Sequence, residues 1–229
     1  MDHIAVWSRN LFETTYELSS QTGLGNRDGG FFPGLGLGQK VISLGGDVYI
    51  EVESIANHRM ILDRSWIALE VERQTANGPC FVGWCLRTDR YEDMEHFAQI
   101  RSTRVMPEIP GGKMRMSGPT RGLANVPVFS DSWMLGLPNL YYVPDLSEHP
   151  SRLPIQPGTG AEVATGVTEI EVGGSEEELR SWLGDLIDPT SFPFEIAYNG
   201  RAHGLYAVSF GTSTCEKTIR LNSVTTVAG

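Results

Sequence analysis

The sequence predicts an α+β protein built from repeated βαβββ units. Three observations carry that reading. Runs with strand-like composition and alternation recur along the 229 residues. Turn and capping residues stand between them at the right places. The order strand, helix, three strands is read twice, over residues 2–55 and again over 81–144.

Residues 2–8 read as the first strand, Asp-His-Ile-Ala-Val-Trp-Ser. Asn10 is a good N-cap for a helix over 11–20, with Leu11, Thr15 and Leu18 on one face, and Gly23 and Gly25 end it. Residues 31–38, Phe-Phe-Pro-Gly-Leu-Gly-Leu-Gly, read as irregular; they lack the Lys-Ser/Thr ending of a phosphate loop. Residues 39–44 and 48–55 read as strands joined by the hairpin turn Gly45-Gly46-Asp47. A charged, partly helical connector follows over 57–78.

The pattern then returns. A strand over 81–88 precedes a helix over 91–100, capped by Asp89, with Met94, Phe97 and Ile100 on one face. Strands are expected over 105–109 and 113–117, around Pro110-Gly111-Gly112, and over 139–143. A Pro, Gly and Ser-rich loop spans 147–165. Beyond it come a strand over 167–172 and a helix opened by Ser175 with Glu178 in the reciprocal capping position. Residues 194–198 and 205–210 read as a hairpin about Asn199-Gly200. The expected organisation is therefore a first module over 1–56, a connector over 57–78, a second module over 79–147, and a loop with a βαββ segment over 148–229.

Composition bounds the function. A chain with 40% hydrophobic and 20% charged residues is globular. The 18 basic against 28 acidic residues give a net charge of −10, which argues against nucleic acid and anionic membrane surfaces as partners. No apolar run approaches the roughly 20 residues of a membrane helix, and no signal-peptide pattern is read, so a cytoplasmic protein is expected. Cys80, Cys85 and Cys215 match no zinc or redox spacing and read as buried free thiols.

His3 on a first strand and Glu51 on the fourth strand of one unit can point at the same divalent metal. Several segments extend that pair into a resemblance. Asp2-His3-Ile4, Phe32-Pro33-Gly34-Leu35-Gly36-Leu37-Gly38-Gln39, Tyr49-Ile50-Glu51-Val52, Gly83-Trp84-Cys85-Leu86-Arg87-Thr88-Asp89 and Gly136-Leu137-Pro138 with His149-Pro150-Ser151 occur in order. Together they resemble the vicinal oxygen chelate superfamily, and within it the glyoxalase-like domain proteins. Phe32 and Gln39 depart from that pattern, standing where the family tends to have His and Asn. Gly83 and Tyr142 align with His3 and Glu51, so the second module supplies no obvious pair of ligands.

The resemblance implies an open cup-shaped sheet, one divalent metal ion (Fe, Mn, Ni, Co or Zn) and a small oxygenated substrate. His149 is the leading third metal ligand, or else a loop histidine. Tyr142 is the next candidate ligand and a catalytic candidate. One carboxylate with two imidazoles is the facial set of oxygen-activating iron sites. Glu53 shares the strand face of Glu51 and is either a base or a rim carboxylate. Trp7 and Tyr49 line the pocket or simply pack the core. Arg115 either grips a substrate anion through its planar fork or closes a surface ion pair. His58 and His96 read as solvated helix residues and His203 as a turn residue.

The expected activity is metal-dependent lyase, isomerase or hydrolase chemistry through a chelated carbonyl or enolate. An extradiol-type dioxygenase and a metal-free small-molecule binding protein are the alternatives. A homodimer is expected.

Overall fold

Residues 1–106, 135–155 and 160–224 are described in full by the computed structural model, with the backbone alone of 114–115 and 118–119. The elements run β1 (His3–Trp7), α1 (Leu11–Thr22), β2 (Asn26–Phe32), β3 (Leu37–Gly45), β4 (Val48–Ile55), α2 (Arg59–Leu62), α3 (Trp66–Gln74) and β5 (Cys80–Thr88). They continue α4 (Tyr91–Ile100), β6 (Met114–Arg115), β7 (Gly118–Pro119), β8 (Asn139–Tyr142), β9 (Ala164–Val172) and α5 (Glu176–Leu183). The last strands are β10 (Glu195–Tyr198), β11 (Leu205–Thr212), β12 (Glu216–Arg220) and β13 (Asn222–Ser223).

The architecture is α+β with two open sheets among the described residues. The larger has the order β13-β5-β1-β4-β3-β2-β6-β7, with β8 also on β5, and the smaller the order β10-β9-β11-β12. The first unit folds as a local meander. β4 lies parallel to β1, and the Gly45-Gly46-Asp47 turn, all at positive φ, hands β3 back to β4. In the second stretch β5 pairs antiparallel with β1, and β8 runs parallel to β5 as β4 does to β1. β6 pairs with β2 at the far edge instead.

Two apolar layers coat the larger sheet. Ile4, Val6, Ile50, Val52 and Trp84 pack with α1, α4, α5 and the smaller sheet. Ala5, Trp7, Val82, Cys85 and Tyr141 pack with Ile67 and Val71 of α3 and with Leu146. Strand alternation explains the division, since neighbours along β1 point to opposite faces. His3, Glu51 and Glu53 lie on the second face with Ala5 and Trp7.

Several expectations change. Residues 26–32 form β2 although Asn, Asp and two glycines are poor strand formers; pairing with β3 supplies the ladder that propensity does not. The segments expected to form a hairpin about Asn199-Gly200 do not pair. β10 lies parallel to β9 and β11 antiparallel to it, on its two sides. Arg90, not Asp89, is the N-cap of α4, without a side-chain hydrogen bond. Cys80 and Cys85 are buried free thiols, but Cys215 is exposed. Most of the strands expected over 105–109 and 113–117 lies outside the described residues, apart from the backbone of β6. No helix among the described residues is long and apolar enough to cross a membrane.

Candidate functional site

Register brings the polar side chains together. β1 and β4 pair His3 with Tyr49, Ala5 with Glu51 and Trp7 with Glu53. These residues therefore share one face, two apart along each strand. β5 sets Cys85 opposite His3, and β8 sets Tyr141 opposite Arg87 two residues further on. β3 brings Gln39 opposite Glu53. Asp2, His3, Gln39, Tyr49, Glu51, Glu53, Tyr141 and His149 are all buried.

A chain of polar contacts runs through this cluster. Ser151 Oγ lies 2.7 Å from His149 Nδ1, and His149 Nε2 lies 3.0 Å from Asp2 Oδ2. Asp2 Oδ1 is 2.6 Å from His3 Nδ1. His3 Nε2 then faces Glu51 Oε1 at 3.4 Å, without a hydrogen-bond partner among the described residues. Gln39 donates its amide N–H to Glu51 Oε2, which leaves the other oxygen of Glu51 turned to His3. Gly29, in a bulge of β2, makes room for Gln39, since a Cβ there would sit 2.7 Å from its Oε1. Trp7 Nε1 donates to Glu53 Oε2 at 3.2 Å. Tyr49 stacks on His3 with centroids 5.1 Å apart, and Tyr141 meets the same ring edge-on at 5.0 Å.

The charges follow from burial and these contacts. Burial alone would raise the Asp2 carboxyl, but hydrogen bonds from His149 and His3 hold it well below the usual carboxylate range. Burial would lower His3, yet the adjoining Cys85 and Glu51 and the Asp2 hydrogen bond raise it well above an ordinary histidine. Burial, with the surrounding acidic groups, pushes the Tyr49 and Tyr141 phenols well above their ordinary range, so both stay neutral donors. Burial also raises the Cys85 thiol, against the pull of His3.

The structure thus brings His3, Glu51, Glu53, Trp7, Tyr49 and His149 to one place. It does not bring Tyr142 there. That ring lies on the opposite face, 5.3 Å from Tyr91 of α4. Tyr141 stands in the site instead, because a step of one residue along a strand exchanges its faces. His149 is in the cluster, but both its ring nitrogens are engaged, by Ser151 and Asp2. Arg115 lies on β6, and its side chain falls outside the described residues. Asp2, Gln39, Cys85 and Tyr141 were not singled out as site residues from sequence. His96 and His203 make exposed pairs with Asp185 and Glu178, remote from this face.

As a test of metal fit, two donors converge: the free His3 Nε2 and the Glu51 carboxylate. Among the described residues no group of three or more His, Cys, Asp and Glu side chains is arranged to hold a metal ion. The pair would supply two donors to a divalent ion. Asp2 behind His3 is the carboxylate that commonly orients a metal-binding imidazole.

Comparisons with known proteins give a family and a fold. The family model described as "Glyoxalase-like domain" matches residues 1–187. A hypothetical protein from Staphylococcus aureus is similar in structure at 12% identity and TM-score 0.55, over 97% of this chain and 86% of that one. A mutant of 4-hydroxymandelate synthase from Streptomyces coelicolor is similar at 15% identity and TM-score 0.52, over 93% of this chain and 58% of that one. Methylmalonyl-CoA epimerase from Mycobacterium tuberculosis gives 14% identity and TM-score 0.45, over 64% and 90% of the two chains. At these identities the likeness is one of fold. No match is found among curated proteins.

Proposed function

The chain belongs to the glyoxalase-like domain family, and from that premise we propose that it is a divalent-metal-dependent enzyme acting on a small oxygenated molecule, as a lyase, isomerase or hydrolase. One observation carries the reading. His3 gives Nδ1 to Asp2, so in the neutral ring the lone pair of Nε2 faces the Glu51 carboxylate at 3.4 Å. Lone pair against carboxylate is repulsive in a buried site. The arrangement calls for a cation between them: a proton, which the raised His3 holds in the metal-free protein, or a metal ion that would displace it.

His3 and Glu51 would hold the ion. When bound there, a divalent ion supplies Lewis acidity to a carbonyl or enolate oxygen of the substrate. The remaining work falls to the chain. Gln39 holds one oxygen of Glu51 and keeps the other turned inward. Glu53, on the same face and held by Trp7, is the candidate to take a proton from substrate carbon or water. Tyr141, kept neutral, can donate a hydrogen bond to a developing oxyanion. Tyr49 and Trp7 wall the site and limit water.

An extradiol-type dioxygenase has less support, since its second imidazole would have to be His149, whose nitrogens are both in use. A metal-free binding protein is the second reading, favoured by the want of a third His, Cys, Asp or Glu donor among the described residues. In that case the proton on His3 stands where the ion would.

Elemental analysis of the purified chain, beside His3→Ala and Glu51→Ala, tests the proposal. About one divalent ion per chain, lost in both variants, is expected. No metal after reconstitution with Fe, Mn, Ni, Co and Zn would transfer the case to the metal-free reading.

A further inference from the structure

We propose that Asp2, with His149 and Ser151 behind it, forms a positioning array that fixes the tautomer of His3 and aims its Nε2 into the site. The inference rests on the reading of His3 and Glu51 as metal donors and assigns residues beyond them.

The argument is one of donors and acceptors. An ionised carboxylate has no proton to give, so each of its contacts must bring one. Asp2 spends one oxygen on His3 Nδ1 at 2.6 Å and the other on His149 Nε2 at 3.0 Å. Both imidazoles therefore donate to it. His149 with its proton on Nε2 has an acceptor at Nδ1, and the Ser151 hydroxyl, 2.7 Å away, can donate to it. The chain Ser151 to His149 to Asp2, with His3 on the other oxygen, is thus satisfied in one polarity. That polarity leaves His3 Nε2 as the atom turned to Glu51, and it is one of the buried side-chain atoms without a hydrogen-bond partner among the described residues.

The array is built from distant segments. Asp2 precedes β1, while His149 and Ser151 follow β8, and His149 and Asp2 are 147 residues apart in sequence. Its members are nine-tenths buried or more. Tyr49 seals it by packing against His149 at 5.2 Å as well as against His3. His149 is accordingly a positioning residue, which acts on His3 through Asp2 and touches no metal. The array holds the loop after β8 against the site by the same contacts.

The test uses Co2+ alone as probe on the full chain, followed by its visible absorption, with ring 15N NMR of the metal-free protein as a second readout. The wild type is expected to take up one Co2+. Asp2→Asn should bind it roughly 10–100-fold more weakly with an unchanged absorption spectrum, because the donors stay and only their orientation is lost. His149→Phe should weaken binding by a smaller factor, again with the same spectrum. In the metal-free wild type the Nδ1 of His3 should carry a proton, and Asp2→Asn should perturb that signal. Should Asp2→Asn fail to fold, His149→Phe and Ser151→Ala carry the same comparison.

Undiminished binding in Asp2→Asn with an unaltered His3 ring signal would overturn the array. A changed spectrum in His149→Phe would overturn it in another way, by making His149 a ligand. If the wild type takes up no Co2+, the metal reading itself falls and the NMR result decides alone. A His3 Nδ1 proton that responds to Asp2→Asn then sustains the array, and one that does not respond removes it.

Discussion

At Asp2 two large effects oppose each other, and the outcome fixes a pH dependence. Burial penalises the carboxylate, but hydrogen bonds from His149 and His3 outweigh it and leave the group well below its ordinary range. A carboxyl whose folded value is depressed contributes stability that is present above its unfolded value, about 3.9, and lost as pH falls through the folded value. Asp2→Asn should therefore be less stable than wild type at neutral pH. The gap should narrow as pH drops below about 4. Urea unfolding from pH 7 down to pH 3 measures it, and a gap independent of pH would remove Asp2 from this role. The same residue marks a limit of sequence reading. His3 and Glu51 were legible because alternation places each on a strand face. Asp2 was not, because its meaning depends on His149, which local pattern cannot connect to it.

Elements show the same boundary between local and long-range information. α1 was readable at both ends: the Asn10 side chain accepts from the Glu13 backbone N–H at 3.2 Å, and Gly23 closes the helix at φ 74°. Asn10→Ala should cost about 1 kcal/mol of stability, seen as a lower urea midpoint at unchanged slope. An unchanged midpoint would mean that tertiary packing alone fixes this helix start. β8 was readable as a strand but not in its facing. Leu140, Tyr141 and Tyr142 are apolar or aromatic and the polar Asn139 is itself buried, so no residue marks an outward side. The contacts decide it, with Tyr141 against His3 and Tyr142 against Tyr91. β2 failed the propensity test altogether, yet its place beside β3 is what sets Gly29 under Gln39. In the last stretch, two strands flanking Asn199-Gly200 suggested a hairpin. A turn signal cannot reveal that β9 already stands between them.

In the whole molecule, the short run before β8 lies between the larger sheet and the C-terminal segment. Trp84 Nε1 donates to the Gly136 carbonyl at 2.7 Å, and Trp182 Nε1 of α5 donates to the Pro138 carbonyl at 2.8 Å. The run is thus tied to the larger sheet on one side and to the C-terminal segment on the other. Gly136 sits at φ 69°, and a Cβ there would lie 2.5 Å from the Gly204 carbonyl oxygen and 2.8 Å from its carbon. Backbone atoms cannot swing aside as a flexible side chain can. Gly136→Ala therefore carries two penalties, the left-handed conformation and the loss of close approach. Gly200→Ala is the matched control, at φ 68° with nothing within 4 Å of its Cβ, and should cost only the conformational part, about 1–2 kcal/mol. Gly136→Ala should exceed it by about 1–3 kcal/mol of overpacking. Because Tyr141 follows five residues later on β8, its contact with His3 should loosen as well. Parallel urea titrations of the two variants settle the comparison. Equal losses would mean that the run parts from the C-terminal segment without resistance, and that Tyr141 is held by β5 alone.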